Sequence, residues 1–267
     1  MAEIDLVVTD LDGTLWAGAE VTHPETLAAW LALEERGIPV LVATGRRVTS
    51  TREPLARLGL TPNAVVLNGA LVIDLATDER FHRQHYPALE AVRVLDAFRE
   101  LGIEPCVYVD HPHIDVHVGD QPSTHPEHLY ALGTTAASAD LDVTVADVPV
   151  LMFGLLGHDE GPLQEVQRAL DGVAEVHVAT DQYGGHSCTV TPLGLSKWVG
   201  VTVYCERHGL DSSRVLAIGD GPNDRELLAG AAIAVVPEDA HADVLAAADH
   251  VVASTRAGGW AEILDLV

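Results

Sequence analysis

The apolar run Leu6-Val7-Val8-Thr9 ends abruptly on Asp10-Leu11-Asp12-Gly13-Thr14-Leu15, and this ending constrains the fold more than any other stretch. Val-rich runs with no polar alternation belong to strands buried on both faces, as in a parallel sheet. Such a strand finishing on acids puts carboxylates where the sheet opens. Asp10 and Asp12 flank Leu11, so they converge at a turn that Gly13 gives the backbone freedom to make. Two carboxylates that close repel each other unless a cation lies between them. A hard divalent ion with oxygen ligands, Mg²⁺ above all, is the natural partner. Alone, Asp-x-Asp-Gly is equally well read as a capped turn.

Three further segments favour the site. Pro39-Val40-Leu41-Val42-Ala43-Thr44-Gly45-Arg46 is a second apolar strand, ending in a hydroxyl and a glycine whose N–H can approach an anion closely. Val215-Leu216-Ala217-Ile218-Gly219-Asp220-Gly221-Pro222-Asn223-Asp224 is a third such run that breaks into acids. Between them lies Lys197, in Gly194-Leu195-Ser196-Lys197-Trp198. The chain has 15 basic residues, and Lys197 is the sole lysine among them. A composition otherwise turned to arginine keeps a compact, rotatable ammonium here, which suits contact with a phosphoryl oxygen. A lysine surviving by chance on a helix surface is the bland alternative.

In these four segments, their order, and Asn68-Gly69-Ala70 after the second, the chain resembles the haloacid dehalogenase superfamily of phosphohydrolases, in its Cof-type, sugar-phosphatase-like branch. The resemblance implies an α/β fold: a doubly wound, parallel-sheet (Rossmann-like) core with an inserted α+β cap. It implies Asp10 as nucleophile and Asp12 as general acid/base. Thr44, the Gly45 N–H, Lys197 and Asn223 would bind the phosphoryl group. Mg²⁺ would be held by Asp10, the backbone carbonyl of Asp12, Asp220 and Asp224. Two departures from the family pattern stand out. Pro222 replaces a residue that is often polar and stiffens its loop. Val235-Val236-Pro237-Glu238-Asp239-Ala240 stands where Gly-Asn-Ala is common, so that Glu238 or Asp239 is placed to crowd the acids or to alter a substrate contact.

Element order supports the same architecture. Thr22-His23-Pro24-Glu25 reads as a capping box that opens a helix toward Glu35. Strands at 39–43 and 64–67 flank a helix at 47–58. At the other end, helices near 196–208, 223–228 and 240–247 alternate with strands at 214–218, 232–235 and 249–252. Strands separated by helices predict a parallel sheet with its chemistry at the carboxyl ends. Residues 81–188 read as a separate cap, inserted between the second and third motifs. Its elements are helices at 88–101, 126–138 and 160–171 and strands at 104–110, 113–118, 150–157, 174–180 and 186–191. The core is thus 1–80 with 189–267, and hinges fall near Asp78-Glu79-Arg80 and Thr191-Pro192.

A formal charge of −25 argues against nucleic acid and anionic membranes as partners, because phosphate backbones bind through Lys and Arg. A phosphate ester meets the same repulsion, screened beyond about 8–10 Å in salt, so the metal, Lys197 and Arg46 must reverse the field locally. Cys106, Cys188 and Cys205 are odd in number and far apart, which suits reduced thiols. The acidic start Met1-Ala2-Glu3-Ile4-Asp5 lacks the basic flank of a signal peptide, and no apolar stretch reaches 18 residues. A soluble, cytoplasmic protein is expected, with its oligomeric state left open.

The expected partner is a small phosphorylated metabolite. A phosphosugar mutase of the phosphomannomutase kind is the alternative enzyme, but it needs several cap arginines, and the candidates are few: Arg83, Arg93, Arg99 and Arg168. A non-catalytic phosphate-sensing module is disfavoured, since a receiver domain needs only about 120 residues and no cap. Arg46 is expected near the phosphate and Arg47 as a solvated charge. Trp16 either lines the mouth of the pocket or packs beneath it. His186 either approaches the leaving group or belongs to a plain hairpin turn. In His111-Pro112-His113-Ile114-Asp115-Val116-His117, three imidazoles and an acid recur every second residue, one face of a strand. There His113 and His117 line a pocket, hold a second metal, or face water.

Overall fold

The computed structural model describes residues 4–267, so residues 1–3 of the acidic start discussed above lie outside the described residues. The chain divides into two compact units, residues 1–82 with 196–267 and residues 83–195.

The first unit opens with β1 (Leu6–Thr9), α1 (Pro24–Glu35), β2 (Val40–Ala43), α2 (Val48–Arg57) and β3 (Asn63–Val66). An antiparallel tail follows, β4 (Leu71–Asp74) and β5 (Arg80–Arg83), which periodicity did not resolve. Asp78-Glu79-Arg80, read as a hinge, forms the β4–β5 turn, where Asp78 adopts φ 66° and Asp74 Oδ1 accepts from the Ala76 and Thr77 amides. At α1 the cap is His23 rather than Thr22: its Nδ1 accepts from the Glu25 amide and Pro24 occupies the first turn.

The second unit runs α3 (Ala88–Glu100), β6 (Cys106–Val109), β7 (Val116–Val118), α4 (Pro126–Leu132), β8 (Ala136–Ser138), α5 (Leu141–Asp147), β9 (Val150–His158), α6 (Glu160–Ala169), β10 (Ala174–Thr180) and β11 (His186–Pro192). Its sheet has the order β10-β11-β9-β6-β7-β8, antiparallel except for β7–β8. A core of Val94, Leu95, Phe98, Val107, Phe153, Leu163 and Val190 joins the sheet to α3 and α6. The helix expected over 126–138 stops at Leu132, where Gly133 takes φ 64°, and β8 and α5 follow. The boundary falls after Leu195 rather than at 188, because β11 pairs with β10 as far as Pro192 opposite Ala174. Thr191-Pro192 is therefore strand, not hinge.

The chain returns to the first unit through α7 (Lys197–His208), β12 (Val215–Ile218), α8 (Arg225–Gly230), β13 (Ile233–Pro237), α9 (Ala242–Leu245) and β14 (His250–Val252). The eight-stranded sheet has the order β14-β13-β12-β1-β2-β3-β4-β5, parallel from β14 to β3. β1 is buried at all four positions, as its composition demands. From β1 the chain winds one way through β2 and β3 and, after the second unit, the other way through β12 to β14. The β1–β12 pair is thus the switch point, outside whose carboxyl ends α/β sheets bind ligands. Thr9 lies opposite Ile218, so the acids that follow the two strands emerge side by side.

Candidate active site

Each acid enters the site from a strand end. Asp10 leaves β1 with its amide on the Ile218 carbonyl (2.9 Å), while its own carbonyl accepts from Thr9 Oγ1 (2.7 Å). Thr9 is in turn held by Trp260 Nε1 (3.0 Å), and Trp260 stacks on Trp30 of α1 (centroids 6.0 Å apart). Asp220 and Asp224 follow β12. Asp224 Oδ2 accepts from the Gly221 (2.9 Å) and Asp220 (3.1 Å) amides, folding the loop back on itself, with Pro222 in the first position of its helical turn. Carboxylate oxygens of Asp10, Asp220 and Asp224 lie within 4.8 Å of one another.

Lys197 joins two of them. Its Nζ donates to Asp10 Oδ1 and Asp224 Oδ1, both at 2.7 Å, and the side chain is 0% exposed. It stands at the first position of α7, which Ser196 caps through the Val199 amide. A cation at a helix N-terminus opposes the macrodipole, so Lys197 adds positive field to an end already positive, and the acids stabilise it. Burial by itself would lower its pKa, but the two carboxylates raise it, so the ammonium stays charged. Burial pushes Asp10 well above the usual carboxylate range; Lys197 opposes this, and the neighbouring acids reinforce it. Asp220 is pushed up to about 7 by burial and by Asp224, against the hydrogen bond from Thr14 Oγ1 (2.7 Å).

One ammonium against two buried carboxylates and a half-buried third leaves a deficit of positive charge, and all the donors are hard oxygens. This set fits Mg²⁺ and suits no soft metal. Gly13 makes the approach possible: at φ 81°, a Cβ there would lie 2.2 Å from Asp220 Oδ2. The Asp12 carboxylate is not in the cluster. Arg46 takes it as a fork, Nε to Oδ2 and Nη2 to Oδ1, both at 2.6 Å, and Trp16 Nε1 adds a bond to Oδ1 (3.0 Å). Trp16 is buried under this pair, its ring 5.1 Å from the guanidinium carbon, so it packs rather than lining a mouth. Arg46 thus lies on the acid/base candidate, and Arg47 is buried rather than solvated.

The remaining phosphate-binding candidates are linked by Asn68. Its amide donates to the Thr44 carbonyl (3.1 Å), its Oδ1 accepts from Asn223 Nδ2 (3.1 Å), and a Cβ on Gly45 would lie 3.0 Å from that Oδ1. Thr44 Oγ1 accepts from the Arg46 amide (3.2 Å), leaving its proton for another acceptor. Asn68 sits at φ 53°, a left-handed conformation that asparagine tolerates better than most residues. Glu238 does not crowd the acids: it accepts from the Ser254 amide (3.2 Å), and Asp239 is exposed. Thr14 and Glu20 were not foreseen. Thr14 lay in plain view after Gly13, but no pattern marked Glu20.

The histidines of the second unit do not form the expected face. His111 Nδ1 accepts from the amides of His113 (3.3 Å) and Ile114 (3.2 Å), which makes residues 111–114 a turn, and only Val116–Val118 is strand. His111 and His113 are exposed. His117 is half-buried with Nδ1 unpartnered, and burial lowers its pKa. Among the described residues no histidine joins a metal-sized cluster. His186 opens β11, with Nε2 3.9 Å from Glu160. Arg83, Arg99 and Arg168 are each paired with an acid of their own unit, Asp110, Asp142 and Glu165.

Comparison with known proteins gives the family. Residues 7–264 match the family model described as haloacid dehalogenase-like hydrolase. A phosphoglycolate phosphatase of Methanopyrus kandleri is 28% identical over 97% of this chain and 95% of its own length. The pyridoxal phosphate phosphatase YbhA of Escherichia coli is 24% identical over 97% of each chain. A haloacid dehalogenase-like hydrolase from B. subtilis superposes with a TM-score of 0.83 at 18% identity, covering 98% of this chain and 99% of that one. A sugar phosphatase of subclass IIB superposes with a TM-score of 0.80 at 23% identity, over 98% of each chain. The chain belongs to the haloacid dehalogenase-like hydrolase family. It is an enzyme, and its named relatives are phosphatases.

Proposed function

We propose that this protein is a Mg²⁺-dependent phosphomonoesterase that acts on a small phosphorylated metabolite, a sugar or polyol phosphate, through an aspartyl-phosphate on Asp10. The observation that carries the proposal is the convergence of Asp10, Asp220 and Asp224, two of which, Asp10 and Asp224, bind one buried ammonium, Lys197. Phosphoryl transfer asks a protein for positioning and charge compensation, and this arrangement supplies both.

Asp10 attacks phosphorus in line, and the ester oxygen departs with a proton from Asp12. Asp12 then takes a proton from the water that cleaves the Asp10–phosphorus bond. Lys197, Thr44, the Gly45 N–H and Asn223 bind the oxygens of the transferring group. Bound by Asp10, Asp220, Asp224 and the backbone carbonyl of Asp12, Mg²⁺ would neutralise the charge that Lys197 alone leaves uncompensated. The second unit selects the leaving group, with His113, His117 and His186 as candidates. The relatives named for phosphoglycolate and pyridoxal phosphate support a compact substrate. No helix of the described residues is long and apolar enough to cross a membrane, and the three free, buried cysteines suit the cytoplasm.

The test is a phosphate-release screen over sugar phosphates, phosphoglycolate, pyridoxal phosphate and nucleotides, with Mg²⁺ and with chelator. Release from at least one ester that chelator stops is the expected result. Release without metal would overturn the metal reading, and isomerisation of a sugar 1-phosphate to its 6-phosphate without release would select the mutase.

A further inference from the structure

Beside the buried cluster, Asp12 belongs to a second charged network, whose other members the proposed chemistry does not use. Arg46 donates to Asp12 and also, through Nη1, to Glu20 Oε1 (2.6 Å) and the Ser50 carbonyl (2.9 Å). Arg57 binds the other oxygen of Glu20. Glu20 reaches this position from a short loop in which Ala19 and Glu20 both adopt left-handed φ, 60° and 59°. Two successive non-glycine residues in that region are strained, and such strain persists where the surrounding structure fixes it. Here the loop ends, Ala17 and Val21, bond each other reciprocally, and the carboxylate is clamped between two guanidiniums.

We infer that Glu20 is a positioning residue for the acid/base step, acting through Arg46 on Asp12, and that Asp12 Oδ2 is the oxygen that carries the proton. An ionised carboxylate offers about four lone-pair sites. Two on Oδ1 are filled, by Trp16 Nε1 and Arg46 Nη2, and one on Oδ2 is filled by Arg46 Nε. The site left is on Oδ2 of a side chain that is 54% exposed, and that oxygen is the one free to take up a proton. In the first half-reaction Oδ2–H gives its proton to the ester oxygen as the phosphorus–oxygen bond breaks and the bond to Asp10 forms. In the second it removes a proton from water as that water displaces Asp10, which restores both groups. Arg46 fixes the plane of the Asp12 carboxylate, and Glu20 with Ser50 fixes Arg46. Without Glu20 the guanidinium keeps its charge but loses its anchor, and Oδ2 is no longer held in one place.

This inference rests on the phosphomonoesterase reading, and leaving-group dependence tests the two separately. The probes are p-nitrophenyl phosphate, whose alcohol leaves readily as an anion, and phenyl phosphate, whose alcohol needs a proton more. Glu20→Gln is expected to lower kcat on phenyl phosphate by about 10-fold or more, within the range that general acid catalysis contributes. On p-nitrophenyl phosphate it should lose less than about threefold on the same scale. In an Asp12→Asn background, Glu20→Gln should add nothing on either ester. Equal losses on both esters, no loss on phenyl phosphate, or a further loss in the Asp12→Asn background would each overturn the inference while the phosphatase reading stands. A parent enzyme that releases phosphate from neither these esters nor any metabolite ester of the screen would overturn both.

Discussion

The two units spend polar residues in opposite ways. In the first, Asp10, Thr44, Asn68, Lys197 and Asp224 are buried at or just beyond strand and helix ends, and most of their partners are far away in sequence. In the second, the buried core is apolar, its histidines are exposed or half-buried, and Arg99 and Arg168 pair at the surface with acids of the same unit. Burying charge is costly unless it is compensated. The first unit therefore stores its electrostatics for one task, whereas the second is held by packing and has side chains free to vary. The contrast predicts that substitutions of the buried polar residues of the first unit abolish activity, and that substitutions in the apolar core of the second reduce stability alone.

The largest effect is expected for Asp10→Asn, which should abolish turnover with the fold retained, since an amide can neither attack phosphorus nor balance a metal. Beryllium fluoride should trap the parent and not the variant; undiminished hydrolysis would remove the covalent mechanism. Lys197→Arg should lose at least about 10²-fold in kcat/KM, because a planar fork cannot replace a point ammonium between two carboxylates. Near-parent kinetics would put Lys197 outside the site. Lys197→Ala leaves the buried Asp10 and Asp224 without their cation and should cost about 3–5 kcal/mol in denaturant unfolding.

Metal and pH sharpen the same contrast. Asp220 has a folded pKa of about 7, above its unfolded value, so the folded state holds its proton more tightly and this group's contribution to stability falls as pH rises toward 7. Mg²⁺ binds the ionised form and offsets that loss. The rise in Tm on adding Mg²⁺ should therefore be larger at pH 7.5 than at pH 5.5, and an equal rise at both would disconnect Asp220 from the metal.

A matched pair of glycine substitutions gives the most direct comparison, and its second member the smallest effect on turnover. Gly13→Ala drives a Cβ into Asp220 and should abolish metal-stimulated activity. Gly185→Ala places a Cβ 2.8 Å from the Gly157 carbonyl carbon in the second unit. It should cost about 1–3 kcal/mol, the usual cost of overpacking, and leave p-nitrophenyl phosphate turnover within about twofold. Metal-stimulated turnover lost in Gly185→Ala, or kept in Gly13→Ala, would break the distinction between the units.

The sequence alone determined the parallel core and the four site segments, because a strand buried on both faces must read as a continuous apolar run and an acid at its end is conspicuous. Asp10, Asp220 and Asp224 were legible for that reason, and Lys197 as the sole lysine within a family-like motif. Weakly amphipathic pieces were not: β4, β5, β8 and α5 owe their form to neighbouring strands and turns rather than to period. The strand read across His111–His117 failed because alternation cannot show that His111 Nδ1 captures two amides and turns the chain. Which acid faces the cluster and which faces Arg46 was also hidden, since Asp10 and Asp12 look alike in sequence. That difference depends on register, Thr9 opposite Ile218, and on contacts such as Glu20 with Arg46 and Lys197 with Asp10 that join residues far apart in the chain. Only the tertiary structure creates those contacts, because they arise from the way strands wind about a switch point rather than from any local preference of the chain.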